Sequence, residues 1–155
     1  MTIEVNGVKL SDRTVSYLGT AMWSSTVMLP VCEDDLFDGC MDVDEDHVLY
    51  GISENDSVDD HFDLFDFDEE SLRKAQSECD DFFDYIEEKG WYSRAEELQG
   101  DDRIAHDFWL TRNGHGAGFW DGDYGDFVGG ELTRIAKRFS EQTVLVNLDG
   151  SIGVY

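Results

Sequence analysis

Basic residues are scarce. The 155-residue chain has 11 Lys and Arg against 36 Asp and Glu, a formal net charge of −25, where a small soluble domain usually carries a magnitude of about 2–8. Between Arg13 and Arg73 there is no Lys or Arg at all. Phosphates are held by clustered Lys and Arg, so direct nucleic-acid binding is not expected. The three cysteines, Cys32, Cys40 and Cys79, are odd in number and form no C-x-x-C pair. They argue against a disulfide framework and for free thiols in a reducing compartment. Pro30 is the only proline, and no linker composition or internal repeat divides the chain. There is no apolar run near 18 residues and no charged-then-apolar leader, so no membrane span is expected. The length suits one domain over residues 1–155.

What is present is aromatic and apolar. Hydrophobic residues make up 41% and aromatics 13%, with ten Phe, six Tyr and four Trp, enough apolar area to fold against the self-repulsion of the charge. Residues 3–10 alternate around Asn6-Gly7 and predict a short hairpin. Ser11 or Asp12 caps a predicted helix to about Ser24, with Val15, Leu18 and Met22 at helical spacing, Trp23 as a further candidate for the same apolar face, and Gly19 as a weak point. Residues 14–72 hold 17 acids and no Lys or Arg. Such a run normally reads as disorder, but Leu36, Phe37, Met41, Val43, Val48, Leu49, Tyr50, Ile52, Val58, Phe62, Leu64, Phe65 and Phe67 interrupt it. An ordered, loop-rich acidic insert at about 33–70 is expected, with a short strand over Val48–Ile52 and docking by Phe62–Phe67.

A helix capped by Asp66 or Asp68 runs to about Lys89 before Gly90, its inner stripe Leu72, Ala75, Cys79, Phe82, Phe83 and Ile86. Ser93–Glu96 is a capping-box pattern opening a short helix to Gln99. The stretch His106–Asp121 places Asn113-Gly114 between two aromatic runs and predicts a central hairpin. Asp121–Asp126 is a turn cluster, Gly130–Ser140 a helix, and Thr143–Leu148 with Ile152–Tyr155 a hairpin about Asp149-Gly150. The expected fold is α+β: a small antiparallel sheet built from the central and C-terminal hairpins, three to four helices, and the acidic loop-rich segment.

Several constellations invite a chemical reading. His106, Asp107, His115 and Asp121 offer imidazole and carboxylate ligands for zinc or a similar metal. They match no H-E-x-x-H spacing and have no cysteine nearby, so turn-pinning hydrogen bonds are the preferred role, with Asp107 pairing Arg112 across the hairpin. Asp42-x-Asp44-x-Asp46 resembles the start of a calcium loop, but His47 stands where Gly is needed and Ser53 where Glu is needed. Asp121-x-Asp123 fails in the same way. Gly114, Gly116 and Gly118 lack the strand-to-helix setting of a phosphate loop. Cys79 reads as core rather than nucleophile. No catalytic residue, metal or cofactor is therefore assigned.

The run Asp-Phe-Trp-Leu-Thr-Arg-Asn-Gly-His-Gly-Ala-Gly-Phe-Trp-Asp at residues 107–121 resembles the signature of a family of small, acidic, bacteriophage-encoded proteins. Tyr17-Leu18-Gly19-Thr20-Ala21-Met22-Trp23-Ser24-Ser25-Thr26, Cys79-Asp80-Asp81-Phe82, Leu132-Thr133 to Ala136-Lys137, and Asp149-Gly150 are similar to other parts of that family. The resemblance spans most of the chain. It implies phage origin and the host cytoplasm, and it brings no agreed activity.

Charge and resemblance together lead to an expected function: a non-enzymatic inhibitor that imitates DNA and occupies the basic DNA-binding groove of a host DNA-binding or defence enzyme, of restriction, recombination or CRISPR type. Duplex DNA carries about one charge per 1.7 Å, so a net of −25 matches roughly 12 base pairs. The expected contact residues are Asp59, Asp60, Asp63, Asp66, Glu69, Glu70, Asp80, Asp81, Asp84, Glu87 and Glu88. A homodimer is compatible with this reading. The alternatives are a metal-binding or hydrolytic protein using His106, His115 and Asp121, adaptation to a salt-rich cytoplasm, and an acidic accessory protein without mimicry.

Overall fold

The chain opens with a hairpin. Strands β1 (Thr2–Val5) and β2 (Val8–Ser11) pair antiparallel with Ile3 opposite Leu10 and Val5 opposite Val8. Asn6 and Gly7 turn the chain with φ of 49° and 81°, the two positive values that a two-residue type I′ loop requires. The structure, a computed structural model, describes residues 1–29 and 45–155. The first part of the expected acidic insert, residues 33–44 with Asp42, Asp44 and the anchors Leu36, Phe37, Met41 and Val43, lies outside the described residues.

Ser11 ends β2 and caps helix α1 (Asp12–Ser24), its Oγ accepting from the Thr14 amide at 3.3 Å. Two 3-10 turns follow, Val58–Asp60 and Leu64–Asp66. Helix α2 (Glu69–Glu88) starts at Asp68, whose carboxylate accepts from the Ser71 amide at 2.7 Å. It ends in a Schellman motif: the amide of Gly90, at φ 81°, donates to Glu87 O and that of Trp91 to Ile86 O. Helices α3 (Tyr92–Gln99), α4 (Asp101–Arg112) and α5 (Asp126–Ala136) come next. The antiparallel pair β3 (Val144–Val146) and β4 (Ile152–Val154) closes the chain. The class is α+β, with two separate two-stranded antiparallel sheets among the described residues.

The predicted stripe of α2 is buried in full: Leu72, Ala75, Cys79, Phe82, Phe83 and Ile86. Phe82 is its centre. It stacks on Phe108 at 4.1 Å and faces Phe119 at 5.8 Å, with Phe83 and Phe139 meeting it edge-on. Helix α1 packs along α4, with the Tyr17 ring 5.3 Å from both Phe108 and Trp109, and the Trp109 indole donating to Ser24 Oγ at 2.9 Å. The amide of Asp68 donates to Ile152 O at 2.9 Å and that of Val154 to Ser71 Oγ at 2.9 Å, which fastens the last strand to the start of α2.

The central hairpin is not formed. Residues 101–112 are the helix α4, and Asn113-Gly114 is its C-terminal stop. Gly114, at φ 66°, donates to Thr111 O, and His115 donates to Leu110 O at 3.0 Å, a second Schellman motif. Phe108 to Arg112 are all buried, so this half of α4 is enclosed on every side and shows no one-sided period. A short apolar run of that kind fits strand and helix equally until its neighbours are known. The pairing of Asp107 with Arg112 fails for the same reason: Asp107 binds Arg103 one helical turn away, and Arg112 binds Glu78.

Smaller differences have local causes. Val48–Ile52 is a succession of turns, not a strand: Tyr50 donates to His47 O, Ile52 donates to Leu49 O, and Gly51 has φ 81°. Phe62 and Phe67 dock in the core, but Phe65 is 61% exposed because the 3-10 turn breaks the alternation. Helix α3 starts at Tyr92, with no side-chain cap from Ser93. Helix α5 starts four residues before Gly130, at Asp126, and ends at Ala136.

Gly129, inside α5, rests against the Phe119 carbonyl, and an added Cβ would overlap that oxygen. Gly129→Ala raises helix propensity by about 1 kcal/mol, yet the overlap with backbone is expected to leave the protein about 1–3 kcal/mol less stable. Urea unfolding measures this, and a rise in stability would show that the 114–119 loop yields freely.

Candidate functional site

Helix α2 separates its charges from its core. At 3.6 residues per turn, Asp80, Asp81, Asp84, Glu87 and Glu88 fall within an arc of about 120°, opposite the buried stripe. All five are exposed, and none forms an ion pair among the described residues. Asp80 accepts from Gln76 Nε2 at 3.0 Å. They span about 12 Å of helix axis, one carboxylate per roughly 3 Å, against one charge per about 1.7 Å of duplex DNA. Glu87 and Glu88 crowd the negative end of the helix dipole, a placement that opposes helix stability. The first turn differs, because Glu69 is paired with Arg73 at 2.6 Å.

The acids of the 3-10 turns are spent locally. Asp60 accepts from the Ser57 amide at 3.1 Å, Asp63 from the Phe65 amide at 2.8 Å, and Asp66 from the Asp63 amide at 2.8 Å. Asp59 lies 2.5 Å from Ser57 Oγ. Asp56 accepts from the Ser53 amide and meets His61 Nε2 at 2.6 Å, and the His61 hydrogen bond holds its carboxyl below the usual range. These carboxylates fold the turns as well as charging them. The eleven expected contact residues therefore lie on three elements. The first 3-10 turn packs on the end of α1, where Ser57 Oγ is 3.2 Å from Trp23 O. The second sits on the β1–β2 turn, where Asn6 Nδ2 donates to Phe65 O and Phe67 O. The exposed stripe of α2 is the third.

Sequence reasoning missed part of the acidic face. Asp12 and Asp101–Asp102 occupy the first turns of α1 and α4, where the helix dipole alone accounts for them. The fold brings both turns to Asp80: Asp12, Arg13, Asp80, Asp101 and Asp102 line one open cavity of about 420 Å³. Arg13 is committed within it, donating to Asp101 at 2.8 Å and to Tyr92 Oη at 3.0 Å, with its guanidinium 4.1 Å from the Phe83 ring. On the opposite edge of α2 the acidic face ends where Arg138 donates to Tyr85 Oη.

The histidine group is not assembled. His106 lies beside Trp23 with ring centroids 6.0 Å apart, and its Nδ1 is 3.0 Å from the Asp107 carboxylate. His115 borders a different cavity, with Glu141 and Gln142. Asp121 accepts from the Gly118 amide at 3.2 Å. No trio of His, Cys, Asp or Glu among the described residues is arranged to hold a metal ion. Asp107 is fully buried and serves Arg103, His106 and Tyr124 at 3.2, 3.0 and 2.8 Å. Burial, with the Asp107 charge and hydrogen bond, pushes the Tyr124 phenol up and keeps it a donor. Burial likewise raises the Cys79 thiol, so it stays protonated inside the core.

Most of the 107–121 stretch is structural. Asp107, Phe108, Trp109, Leu110, Thr111, Arg112 and Phe119 are buried, and Thr111 Oγ1 accepts from the Phe119 amide at 3.0 Å. No helix among the described residues is long and apolar enough to cross a membrane. Comparison with protein-family models, with curated proteins and with solved structures finds no match to this chain.

Proposed function

We propose that this chain is a non-enzymatic inhibitor, phage-encoded and acting in the host cytoplasm, that fills the basic DNA-binding groove of a host DNA-binding or defence enzyme. The observation that carries this reading is the α2 stripe: Asp80, Asp81, Asp84, Glu87 and Glu88 stand exposed, with no ion pair among the described residues, on one face of a helix whose other face is locked in the core. Fixed carboxylates lose little ordering entropy when a partner binds, which a charged tail would lose. Their spacing approaches that of duplex charge, and opposite fields speed the encounter. The cavity lined by Asp12, Asp80, Asp101 and Asp102 widens the stripe on one side.

The test uses purified restriction and recombination nucleases with basic DNA grooves. Their affinity for this protein is measured from about 50 to 200 mM salt, with a 12-base-pair duplex as competitor. Affinity should fall steeply with salt, and the duplex should displace the protein. Reversing Asp81, Asp84, Glu87 and Glu88 to Lys should weaken binding by about 100-fold or more. An affinity flat across that salt range, or unchanged by the reversal, would sink the reading.

A further inference from the structure

Beside the acidic face lies a groove that charge does not explain. It runs between α1 and α4 and has a volume of about 490 Å³. Ser16, Gly19, Thr20 and Trp23 form one wall, at helical spacing on one face of α1, and Asp102, Arg103 and His106 form the other. Trp23 is 60% exposed, an unusual position for the residue type most enriched at binding hot spots. His106 is held beneath it by the buried Asp107. Arg103 brings no free positive charge, since Asp107 and Asp123 lie 3.2 and 3.5 Å from it.

Gly19 is a second, independent sign. Glycine in a helix interior is unfavourable relative to alanine. Here no positive φ requires it, and an added Cβ would meet nothing within 4 Å. Among the described residues it serves no packing role. Its effect is to keep the groove floor open at the level of a bare backbone, which favours close approach by something outside the chain.

The groove is continuous with the acidic face. Asp102 lines both the groove and the acidic cavity, and Asp80 belongs to both that cavity and the α2 stripe. At the other end, Ser57 joins the Trp23 carbonyl to the turn bearing Asp59 and Asp60. Acids therefore stand at both ends of an apolar trough. A net charge of −25 opposes a second copy of this chain and favours a cation-rich occupant. We infer that the α1–α4 groove seats an apolar anchor side chain carried by a Lys/Arg-rich helix of the partner protein, with Trp23 as the contact that makes the interaction specific. This rests on the proposed function: the α2 stripe supplies attraction and the groove supplies recognition.

Two synthetic helical peptides of equal positive charge serve as probes, one with leucines at i, i+3, i+4 and i+7 and one with glutamines there. Binding is read by anisotropy of the labelled peptide. The leucine peptide should bind about tenfold tighter or more. Gly19→Leu, which fills the groove while favouring the helix and should raise Tm, is expected to erase that ratio and leave glutamine-peptide binding unchanged. Trp23→Ala should do the same. A ratio near one in the unaltered protein, or a ratio that survives Gly19→Leu, overturns the inference. So does a self-associated protein that Gly19→Leu makes monomeric, since the occupant would then be a second copy. If Lys reversal of Asp81, Asp84, Glu87 and Glu88 leaves both affinities unchanged while Gly19→Leu still erases the ratio, the charge reading fails and the groove stands.

Discussion

Glu78→Ala is expected to destabilise the protein by about 3–5 kcal/mol, the range for removing one partner of a buried ion pair. Arg112 has a side chain of 0% exposure and donates to Glu78 Oε2 at 2.6 Å, to Tyr17 Oη at 2.9 Å, and through Nε and Nη2 to Ser140 O. Gln142 Nε2 donates to the same Glu78 oxygen, and Tyr17 Oη donates to Gln142 Oε1, which closes a ring of four side chains. Without Glu78 a guanidinium stays buried with no counter-charge, and Gln142 loses its acceptor. The converse change is milder, because Glu78 keeps 21% exposure and water can hydrate it. Arg112→Met should therefore be less damaging than Glu78→Ala, and the double variant should recover part of the loss. Urea midpoints at constant m measure all three. A loss under 1 kcal/mol for Glu78→Ala would mean that Arg112 finds water or another acid.

Phe82→Ala should be comparably severe, about 3–5 kcal/mol. Phe82 is fully buried, and its ring is the common neighbour of Phe83, Phe108, Phe119 and Phe139. Those rings come from α2, α4, the 114–119 loop and the chain after α5, so collapse around the hole would require several elements to move together. Against a total stability of about 5–15 kcal/mol for a domain, this variant and Glu78→Ala each consume a large share. Phe82→Leu restores most of the volume and should recover more than half of the loss. Thermal unfolding of the pair checks this, and equal stability of the Ala and Leu variants would show that the ring contacts carry little.

Helices with one wet face were legible. The inner stripe of α2 and its stop at Gly90 follow from spacing and φ, as do the Ser11 cap of α1 and the hairpins at Asn6-Gly7 and Asp149-Gly150. Helix α4 was not legible, because Phe108 to Arg112 face protein on all sides and leave no period to read. Asn113-Gly114 then satisfies hairpin and helix-cap chemistry alike, since both need positive φ at glycine. The candidate site divides in the same way. Asp80, Asp81, Asp84, Glu87 and Glu88 share a face by helical arithmetic alone, whereas Asp12, Asp101 and Asp102 join them only through packing.

By itself, then, the amino-acid order determined the charge imbalance, the α+β class and the acidic stripe of α2, because periodicity, caps and turns act within a few residues. Tertiary structure alone decided that the central stretch is a helix, that Arg112 answers Glu78, that His106, His115 and Asp121 stay apart, and that Trp23 overhangs an open groove. Each of those depends on residues distant in the chain competing for the same space and the same hydrogen-bonding partners, and no local pattern records the outcome of that competition.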